Sequence, residues 1–387
     1  MKILVLNDGS EYQNWGIVAC IDGLRQIFIN NDCEFVSHHE MHRRYNFGPK
    51  WLGYEFFANE NILFNKLFHS YNLLPRTAND LDSVVDAWQS GEGGKGAKIM
   101  VQKIINFKPD LIVFNAEGST YKNNIGAIKG LSILYFVQKY HPEIKTAFIN
   151  GSVTITSVDN TLGGIVRKVF LRNTFNFIRE DYSYRNLLEN YPLVNNCQIV
   201  LDSAFVNPMI ENSQKVDTWL KKMNITSFAA FSLSMLPIGN TKMIASFLDK
   251  VFTNYDVVLL LARDVEDLSR IKFLQGHGKY KMIPSEWSYM DIEYLLQKCS
   301  LLMSGRYHHL IFGLKNQCSV IPVNTSSHKI KGLIYSLFGD SDVVDITDVE
   351  RYTESEINEF VYNPFKLEGH QVEEIKDSII KEYNKWL

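Results

Sequence analysis

An arginine and a histidine stand two residues apart in this chain, at Arg306 and His308, between two apolar segments. The segment from Leu301 to Met303 has the composition of a buried strand, and the residues from His308 to Leu314 have that of a helix. A helix N-terminus carries unpaired N–H groups, and a guanidinium binds phosphate or carboxylate through paired hydrogen bonds. A histidine exchanges a proton near neutral pH. We therefore predict an anion site in which Arg306 and His308 are catalytic and Ser304, in the turn before them, binds substrate.

A carboxylate follows a second apolar segment, in the run Asn115-Ala116-Glu117-Gly118-Ser119-Thr120. The residues from Asp110 onward are typical of a fully buried strand. A carboxylate at the carboxyl end of a strand could accept a proton from a sugar hydroxyl, so Glu117 is predicted to be catalytic. Gly118 and Ser119 are predicted to bind substrate. The alternative is structural, with Ser119 or Thr120 capping the next helix and Glu117 in solvent.

Arg179 comes directly after a third apolar segment, which begins at Phe175. At the end of a buried strand its guanidinium could hold a carboxylate or phosphate of the substrate. It could equally form a structural ion pair with Glu180 or Asp202. The first interpretation predicts a substrate-binding arginine.

Three further residues are predicted to bind substrate. Asn14 and Gly16 open the first predicted helix, where a glycine permits close approach of a ligand phosphate, although a plain tight turn has the same pattern. Lys329 follows the strand that ends at Val323, which would bring its ammonium group towards the Arg306 turn. A solvated surface lysine is the alternative at that position.

The order of the elements predicts an α/β fold. Strand, polar glycine turn, helix and strand follow one another repeatedly, which is the rhythm of a parallel sheet. We expect two Rossmann-like domains facing across a cleft, with ligands at the carboxyl ends of the strands. The N-terminal, acceptor-side domain would span 1–205 with a loop-rich insert at about 36–98, and the C-terminal, donor-side domain would span 225–387. Residues 205–224 resemble a linker, and 372–387 a surface helix.

Bulk composition excludes several classes of protein. The chain has 387 residues, 45% hydrophobic, and a net charge of -3, which gives no reason to expect nucleic-acid binding. The first apolar run is too short for a signal peptide, and no segment approaches the roughly 20 apolar residues that span a bilayer. Five cysteines without CxxC spacing favour buried thiols in a reducing cytoplasm. Nothing in the spacing of the acidic residues requires a metal, so none is predicted.

Four blocks, in this order along the chain, resemble the polysaccharide pyruvyl transferase family. The strongest is Ser304-Gly305-Arg306-Tyr307-His308, which is similar to the family's S-x-R-x-H block and has Lys329 behind it. Asn115 to Thr120 is similar to the family's N-G-E-G-T block. Ile178 to Ser183 is similar to its V-R-D-x-x-S block, and Val200 to Phe205 to its V-x-D-x-A-F block. The chain departs from the family in lacking the acid of G-N-x-G-D after Asn14, and in having Ala116 for Gly and Glu180 for Asp.

The resemblance implies a glycosyltransferase-B-like pair of domains that transfers pyruvate from phosphoenolpyruvate to a sugar as a cyclic ketal. Arg306 and Arg179 would then clamp anions, and His308 would be the acid or a phosphate ligand. Lys329 would be a supporting cation, and Glu117 the base on a sugar hydroxyl. Phosphoenolpyruvate is a co-substrate, and no cofactor is implied. The setting would be synthesis of a bacterial surface polysaccharide, such as capsule or exopolysaccharide.

The implied acceptor is a sugar or a lipid-linked oligosaccharide, which would place a cytoplasmic protein at the inner face of the membrane. Four residues of the insert, His42, Arg43, Arg44 and Trp51, could contact lipid head groups, bind sugar or simply pack.

Two other functions remain open from the sequence. A glycosyltransferase with a CMP- or UDP-linked donor could use the same scaffold, with a base pocket around Phe231 to Ser234 and Pro284 to Trp287. A non-catalytic carbohydrate-binding protein is the third reading, supported only by the altered block at Asn14. Retention of charged residues at several strand ends argues against it.

Overall fold

A computed structural model describes residues 1–12, 14–42, 73–156, 160–233, 241–263, 265–276, 278–324, 327–340 and 342–387. The chain forms two compact units. The first contains residues 1–11, 28–201 and 387, and the second contains residues 12–27 and 202–386.

The first unit is built on a six-stranded parallel sheet in the order β2-β1-β3-β4-β5-β6. Its strands are β1 (Lys2–Asp8), β2 (Asp32–Ser37), β3 (Leu111–Asn115), β4 (Lys145–Gly151), β5 (Phe175–Ile178) and β6 (Cys197–Ile199). All five residues of β3 are buried, as expected for an apolar run covered on both faces. The described helices of this unit are His38–His42, Leu81–Gln89, Lys95–Phe107, Ile125–Tyr140, Asn160–Phe170 and Asp181–Asn190.

The second unit has a five-stranded parallel sheet in the order β11-β10-β7-β8-β9. Its strands are β7 (Ala229–Ser232), β8 (Val258–Leu260), β9 (Tyr280–Met282), β10 (Leu301–Ser304) and β11 (Ser319–Pro322). The described helices are Trp15–Ile27, Gln214–Lys222, Thr241–Val251, Val265–Ile271, Tyr289–Gln297, Tyr307–Lys315, Lys329–Phe338, Glu354–Tyr362 and Gly369–Asn384. Because every pairing is parallel, the carboxyl ends of the strands meet at one edge of the sheet.

The helix Trp15–Ile27 is held to the second unit by contacts far apart in sequence. Nε1 of Trp15 donates to the carbonyl oxygen of Trp287 at 2.8 Å, and Oγ of Ser203 donates to the carbonyl oxygen of Cys20 at 2.7 Å. A β-carbon on Gly23 would lie 2.0 Å from the carbonyl oxygen of Ser203. The helix therefore approaches the 203 segment at backbone distance, which only glycine allows.

The segment predicted as a linker, 205–224, is structured instead. It contains the second half of the 3-10 turn Ser203–Val206 and all of the helix Gln214–Lys222. Ser213 caps this helix by accepting from the N–H of Val216, and Val216 and Leu220 are buried. The other residues of the helix, apart from Trp219, are polar, so its narrow apolar stripe did not stand out in the sequence.

The C-terminal segment and the insert at about 36–98 both contain helices. The C-terminal helix is present as Gly369–Asn384 and buries Val372, Ile379 and Tyr383. In the predicted loop-rich insert the described residues include the helices His38–His42 and Leu81–Gln89 and the start of Lys95–Phe107. Arg43, Arg44 and Trp51 lie outside the described residues, as does the side chain of His42. Across the described ranges, no helix combines the length and apolar character needed to cross a membrane.

Candidate active site

The predicted site residues fall into two groups, one in each unit. The second unit holds Asn14, Gly16, Ser304, Arg306, His308 and Lys329. The first unit holds Glu117, Gly118, Ser119 and Arg179.

The turn after β10 carries the strongest prediction. Ser304 ends the strand, and Arg306 is the N-cap residue of the helix Tyr307–Lys315. Oγ of Ser304 accepts from the N–H of Arg306 at 3.0 Å and lies 2.7 Å from Oγ of Ser232 on the neighbouring strand. Ser304 is fully buried, so its hydroxyl shapes the turn.

Two contacts orient the guanidinium of Arg306. Its Nε donates to the carbonyl oxygen of Leu233 at 3.2 Å, and its Nη2 forms an ion pair with Asp267. The Arg306 side chain is 20% exposed, whereas that of Asp267 is 8% exposed. Asp267 therefore holds the arginine in place and offsets part of its charge.

His308 is held between a buried carboxylate and a glycine. Its Nε2 lies 3.5 Å from Oδ2 of Asp202, whose side chain is fully buried. A β-carbon on Gly16 would lie 2.0 Å from Nδ1 of His308, so the imidazole occupies the space that a side chain at position 16 would need. An imidazole that carries a proton at this position would form an ion pair with Asp202.

Asn14 and Gly16 acquire local roles in this arrangement. Oδ1 of Asn14 accepts from the N–H groups of Gly16 at 3.0 Å and of Ile17 at 3.4 Å, so Asn14 caps the helix Trp15–Ile27. The close approach that Gly16 allows is to His308. The glycine thus serves the site by admitting the imidazole.

His309 is a residue of the site that the sequence did not reveal. It is 5% exposed, and its Nδ1 lies 2.9 Å from Oγ of Ser232, which also contacts Ser304. Burial lowers the pKa of His309 to about 3, and the charges of Arg306 and His308 add to the effect. His309 is therefore a neutral imidazole near neutral pH.

Lys329 follows the strand that pairs with β10, the strand before the Arg306 turn. It is the first residue of the helix Lys329–Phe338, which follows β11. The last residues of β10 and β11, Ser304 and Pro322, pair in parallel register. Lys329 is half-buried and comes seven residues after Pro322 in the chain.

Side-chain amides connect three adjacent strand ends in the first unit. Nδ2 of Asn7 donates to the backbone carbonyl oxygen of Asn115 at 2.7 Å. Nδ2 of Asn150 donates to Oδ1 of the same Asn115 at 3.3 Å. Nδ2 of Asn115 in turn donates to Oε1 of Glu117 at 3.2 Å. His38 joins this network through Nδ1, 2.6 Å from Oδ1 of Asn7. The carboxylate of Glu117 thus belongs to a network of polar side chains at the strand ends.

The backbone at Glu117 is in the left-handed region, with φ of 48°. For a residue other than glycine this conformation costs about 1–2 kcal/mol, and such strain is concentrated at functional sites. The carbonyl oxygen of Glu117 accepts from the N–H of Ser152 at 2.7 Å, which helps to hold it there.

The alternative reading of this block, in which Ser119 or Thr120 caps the next helix, is wrong. The cap of the helix Ile125–Tyr140 is Asn124, which accepts from the N–H of Ala127 at 3.1 Å. Oγ of Ser119 instead donates to the carbonyl oxygen of Ala116 at 2.6 Å, within the turn.

Arg179 is deeply buried, at 2% exposure. Its Nε donates to Oγ of Ser152 at 2.8 Å. The next residue, Glu180, is fully buried and caps the helix Asp181–Asn190, accepting from both the N–H and the hydroxyl of Ser183. Glu180 and Ser183 of this block therefore build the helix start. Over the described residues, no group of three or more acidic, histidine or cysteine side chains is placed to hold a metal ion.

Solved structures share this fold over nearly the whole chain. The UDP-GlcNAc 2-epimerase of Methanocaldococcus jannaschii is 13% identical with a TM-score of 0.57, covering 97% of this chain and 98% of that one. HepE from Anabaena, solved with UDP and glucose, is 10% identical with a TM-score of 0.54, covering 100% and 95%. A glycosyltransferase from Rickettsia africae is 11% identical with a TM-score of 0.52, covering 100% and 99%. These likenesses confirm the predicted α/β, glycosyltransferase-B-like fold.

The sequence itself places the chain more narrowly. A search of curated proteins finds no match to it. The family model for polysaccharide pyruvyl transferase, however, matches residues 21–327. That range includes Glu117, Arg179, Asp202 and the turn from Ser304 to His308. The chain belongs to the polysaccharide pyruvyl transferase family.

Proposed function

We propose that this protein transfers pyruvate from phosphoenolpyruvate to a sugar, forming a cyclic ketal during synthesis of a bacterial surface polysaccharide. The observation that carries the proposal is the setting of His308. It lies beside the buried carboxylate of Asp202 and two residues from Arg306, at the N-terminus of the helix Tyr307–Lys315. A charged imidazole and a guanidinium at a helix N-terminus suit a donor that must be protonated and whose phosphate must leave.

The chemistry assigns a role to each group. The methylene carbon of phosphoenolpyruvate gains a proton, which makes the adjacent carbon an oxocarbenium-like electrophile. Two sugar hydroxyls add to that carbon, and the bond to the phosphate oxygen breaks. One of the two hydroxyl protons balances the proton gained by the methylene, and the other leaves with phosphate. His308, which would form an ion pair with Asp202 when it carries a proton, supplies the first proton.

Anion binding falls to Arg306 and the first N–H groups of its helix. Nε and Nη2 of Arg306 are engaged by Leu233 and Asp267, so the phosphate is bound through Nη1. Lys329 and Arg179 are proposed as supporting cations. For the acceptor hydroxyl we propose Glu117 as base, because its strained backbone and its amide partner Asn115 fix the carboxylate.

The setting is also a proposal. Phosphoenolpyruvate is a co-substrate, and the reaction needs no cofactor. The acceptor is a sugar or a lipid-linked oligosaccharide, and in the latter case the protein works in the cytoplasm at the inner face of the membrane. Nucleic acid is not a partner. Any contact with lipid head groups would be peripheral.

Thermal unfolding with candidate ligands tests the proposal. A ligand that binds only the folded protein raises the melting temperature. Phosphoenolpyruvate is expected to raise it in the wild type and to have no effect in Arg306→Ala or His308→Ala. Arg351→Ala and His370→Ala are matched controls, because both side chains are exposed in the same unit. Transfer activity should be lost in the first pair of variants and kept in the second.

The same experiment tests glycosyl transfer, the alternative function. CMP, UDP and GDP are included because HepE, which shares the fold, was solved with UDP and glucose. Stabilisation by a nucleotide, with none by phosphoenolpyruvate, would replace pyruvyl transfer with glycosyl transfer. Full activity in folded Arg306→Ala and His308→Ala would remove the assigned site.

A further inference from the structure

Arg263 is a half-buried guanidinium in the second unit that none of the motifs includes. It lies three residues beyond Leu260, the last residue of β8. Burial lowers its pKa. Among the described residues, no carboxylate lies within ion-pair distance of it. An arginine kept partly out of water, with no carboxylate partner in the described part of the chain, carries a charge that a ligand could neutralise.

The backbone places Arg263 at the same sheet edge as Arg306. The central strand β7 has β8 on one side and β10 on the other. The N–H of Leu261 donates to Phe231 of β7 at 2.9 Å, and the N–H of Gly305 donates to Ser232 of β7 at 2.9 Å. Neighbouring strands are about 4.8 Å apart, so the two segments leave the sheet about 10 Å from each other, on either side of β7.

Trp15 connects Arg263 to the histidines of the site. The guanidinium carbon of Arg263 lies 5.9 Å from the centre of the Trp15 ring, and that ring lies 5.5 Å from the ring of His309. Trp15 is 3% exposed, and its Nε1 is bonded to Trp287. The next residue, Gly16, packs on His308. A rigid indole therefore supports the face of the guanidinium, whose N–H edge is the part that binds a planar anion.

The charges of the two arginines differ in a way that suggests a division of roles. Arg306 is paired with Asp267 and stands at a helix N-terminus, whose N–H groups suit phosphate. Arg263 has no carboxylate partner among the residues that the structure describes. We propose that Arg263 binds the carboxylate of the donor, while Arg306 and its helix bind the phosphate. This assignment rests on the proposed function, because it takes phosphoenolpyruvate as the donor.

Calorimetric titration of the whole chain tests the assignment, with phosphoenolpyruvate and inorganic phosphate as separate probes. Arg263→Ala should weaken phosphoenolpyruvate binding by at least about 30-fold, as expected for removing one partner of a charge pair. Its affinity for inorganic phosphate should stay within about twofold of the wild type. Arg263→Lys keeps the charge but loses the paired N–H groups of the guanidinium. Its affinity for phosphoenolpyruvate should lie between those of the wild type and Arg263→Ala.

Arg351→Ala is the matched control, because Arg351 is an exposed arginine that also stacks on an aromatic ring, 4.7 Å from the centre of Tyr352. It should bind both probes as the wild type does. The melting temperature of Arg263→Ala without ligand should change little, since no described carboxylate pairs with the lost charge and only the contact with the Trp15 ring is removed. If that variant does not fold, Arg263→Lys carries the test.

Unchanged phosphoenolpyruvate affinity in Arg263→Ala or Arg263→Lys would overturn the inference alone. An equal loss of phosphoenolpyruvate and phosphate binding would also overturn it, because Arg263 would then bind the phosphate. A wild type that binds no phosphoenolpyruvate would overturn the proposed function, and the inference with it.

Discussion

Among single residues, Gly16 matters because the His308 side chain occupies the volume that any larger residue at position 16 would need. The imidazole fills the place where a side chain at position 16 would begin, with 2.0 Å between Nδ1 and the would-be β-carbon. No rearrangement of an end group relieves such a contact, because the ring is also held by Asp202. The position of His308, the proposed acid, is therefore decided by a glycine that has no functional side chain of its own.

Gly16→Ala should consequently abolish most activity while leaving the protein folded. Overpacking of this kind costs about 1–3 kcal/mol of stability, and a displacement of about 1 Å at a reacting group can lower the rate about 100-fold. Gly369→Ala is the control, because its β-carbon would meet nothing closer than 3.5 Å. Transfer assays and urea unfolding of both variants give the comparison. An active Gly16→Ala would show that His308 need not stay where it lies.

His309 gives the same turn a dependence on pH. Its pKa is about 3 in the folded protein because it is buried near Arg306 and His308, against about 6.5 in an unfolded chain. Between these values the unfolded state binds a proton that the folded state does not. The contribution of His309 to the free energy of unfolding is therefore fully present above about pH 6.5, and it is lost as the pH falls towards 3.

Replacing His309 by Asn should reduce this loss, since an amide oxygen can accept from Ser232 as Nδ1 does and takes up no proton. The free energy of unfolding of the wild type should fall by up to about 1.4 kcal/mol per pH unit more steeply than that of the variant below pH 6. Urea unfolding at pH 7.5, 6 and 5 measures both slopes, with exposed His370→Asn as control. Identical slopes in wild type and His309→Asn would contradict the assignment.

At the scale of elements, a buried ion pair ties the helix that begins at the site to its neighbour. Nζ of Lys315, the last residue of the helix Tyr307–Lys315, lies 2.7 Å from both carboxylate oxygens of Glu293 on the helix Tyr289–Gln297. The two side chains are 1% and 0% exposed. A third contact, at 3.3 Å, joins Lys315 to the carbonyl oxygen of Asn207. The pair fixes the end of the helix opposite to Arg306.

Removing one partner should cost far more than removing both. Lys315→Met leaves a buried carboxylate and should lower the free energy of unfolding by about 3–5 kcal/mol, whereas the double variant Lys315→Met with Glu293→Met should recover most of it. Burial already raises the pKa of Glu293. The cost in the single variant should therefore be smaller at pH 4 than at pH 8, since a protonated Glu293 needs no partner. Equal stability of the single and double variants would show that the pair is not coupled.

Across the whole molecule, local sequence patterns predicted the helices and strands. The pairing of side chains that are distant in sequence could not be predicted from such patterns. The strand, small-residue turn and helix around Arg306 are contiguous in sequence, as is the run ending at Glu117, so both were predictable. The pairing of His308 with Asp202 joins residues about a hundred positions apart, and that of Arg306 with Asp267 has no signature at all. Arg263 was missed for the same reason.

The helix Trp15–Ile27 shows the limit most clearly. It follows β1 directly, so its sequence suggested that it belongs beside that strand. Its contacts instead group residues 12–27 with residues 202–386. The bonds from Ser203 to Cys20 and from Asn207 to Ala19, at 2.7 and 2.8 Å, are between parts of the chain that no periodicity connects.

A fragment of residues 202–387 should therefore fold poorly unless the helix is supplied. Alone it would expose the surfaces that Trp15 and Cys20 cover, and it should bind a hydrophobic dye and melt without a cooperative transition. Addition of a peptide of residues 12–27 should restore cooperative melting, measured by circular dichroism. The same peptide with Gly23→Leu should fail, because the new side chain would begin 2.0 Å from the carbonyl oxygen of Ser203. Cooperative melting of the fragment at one temperature, with or without either peptide, would show that the second unit is complete without its helix.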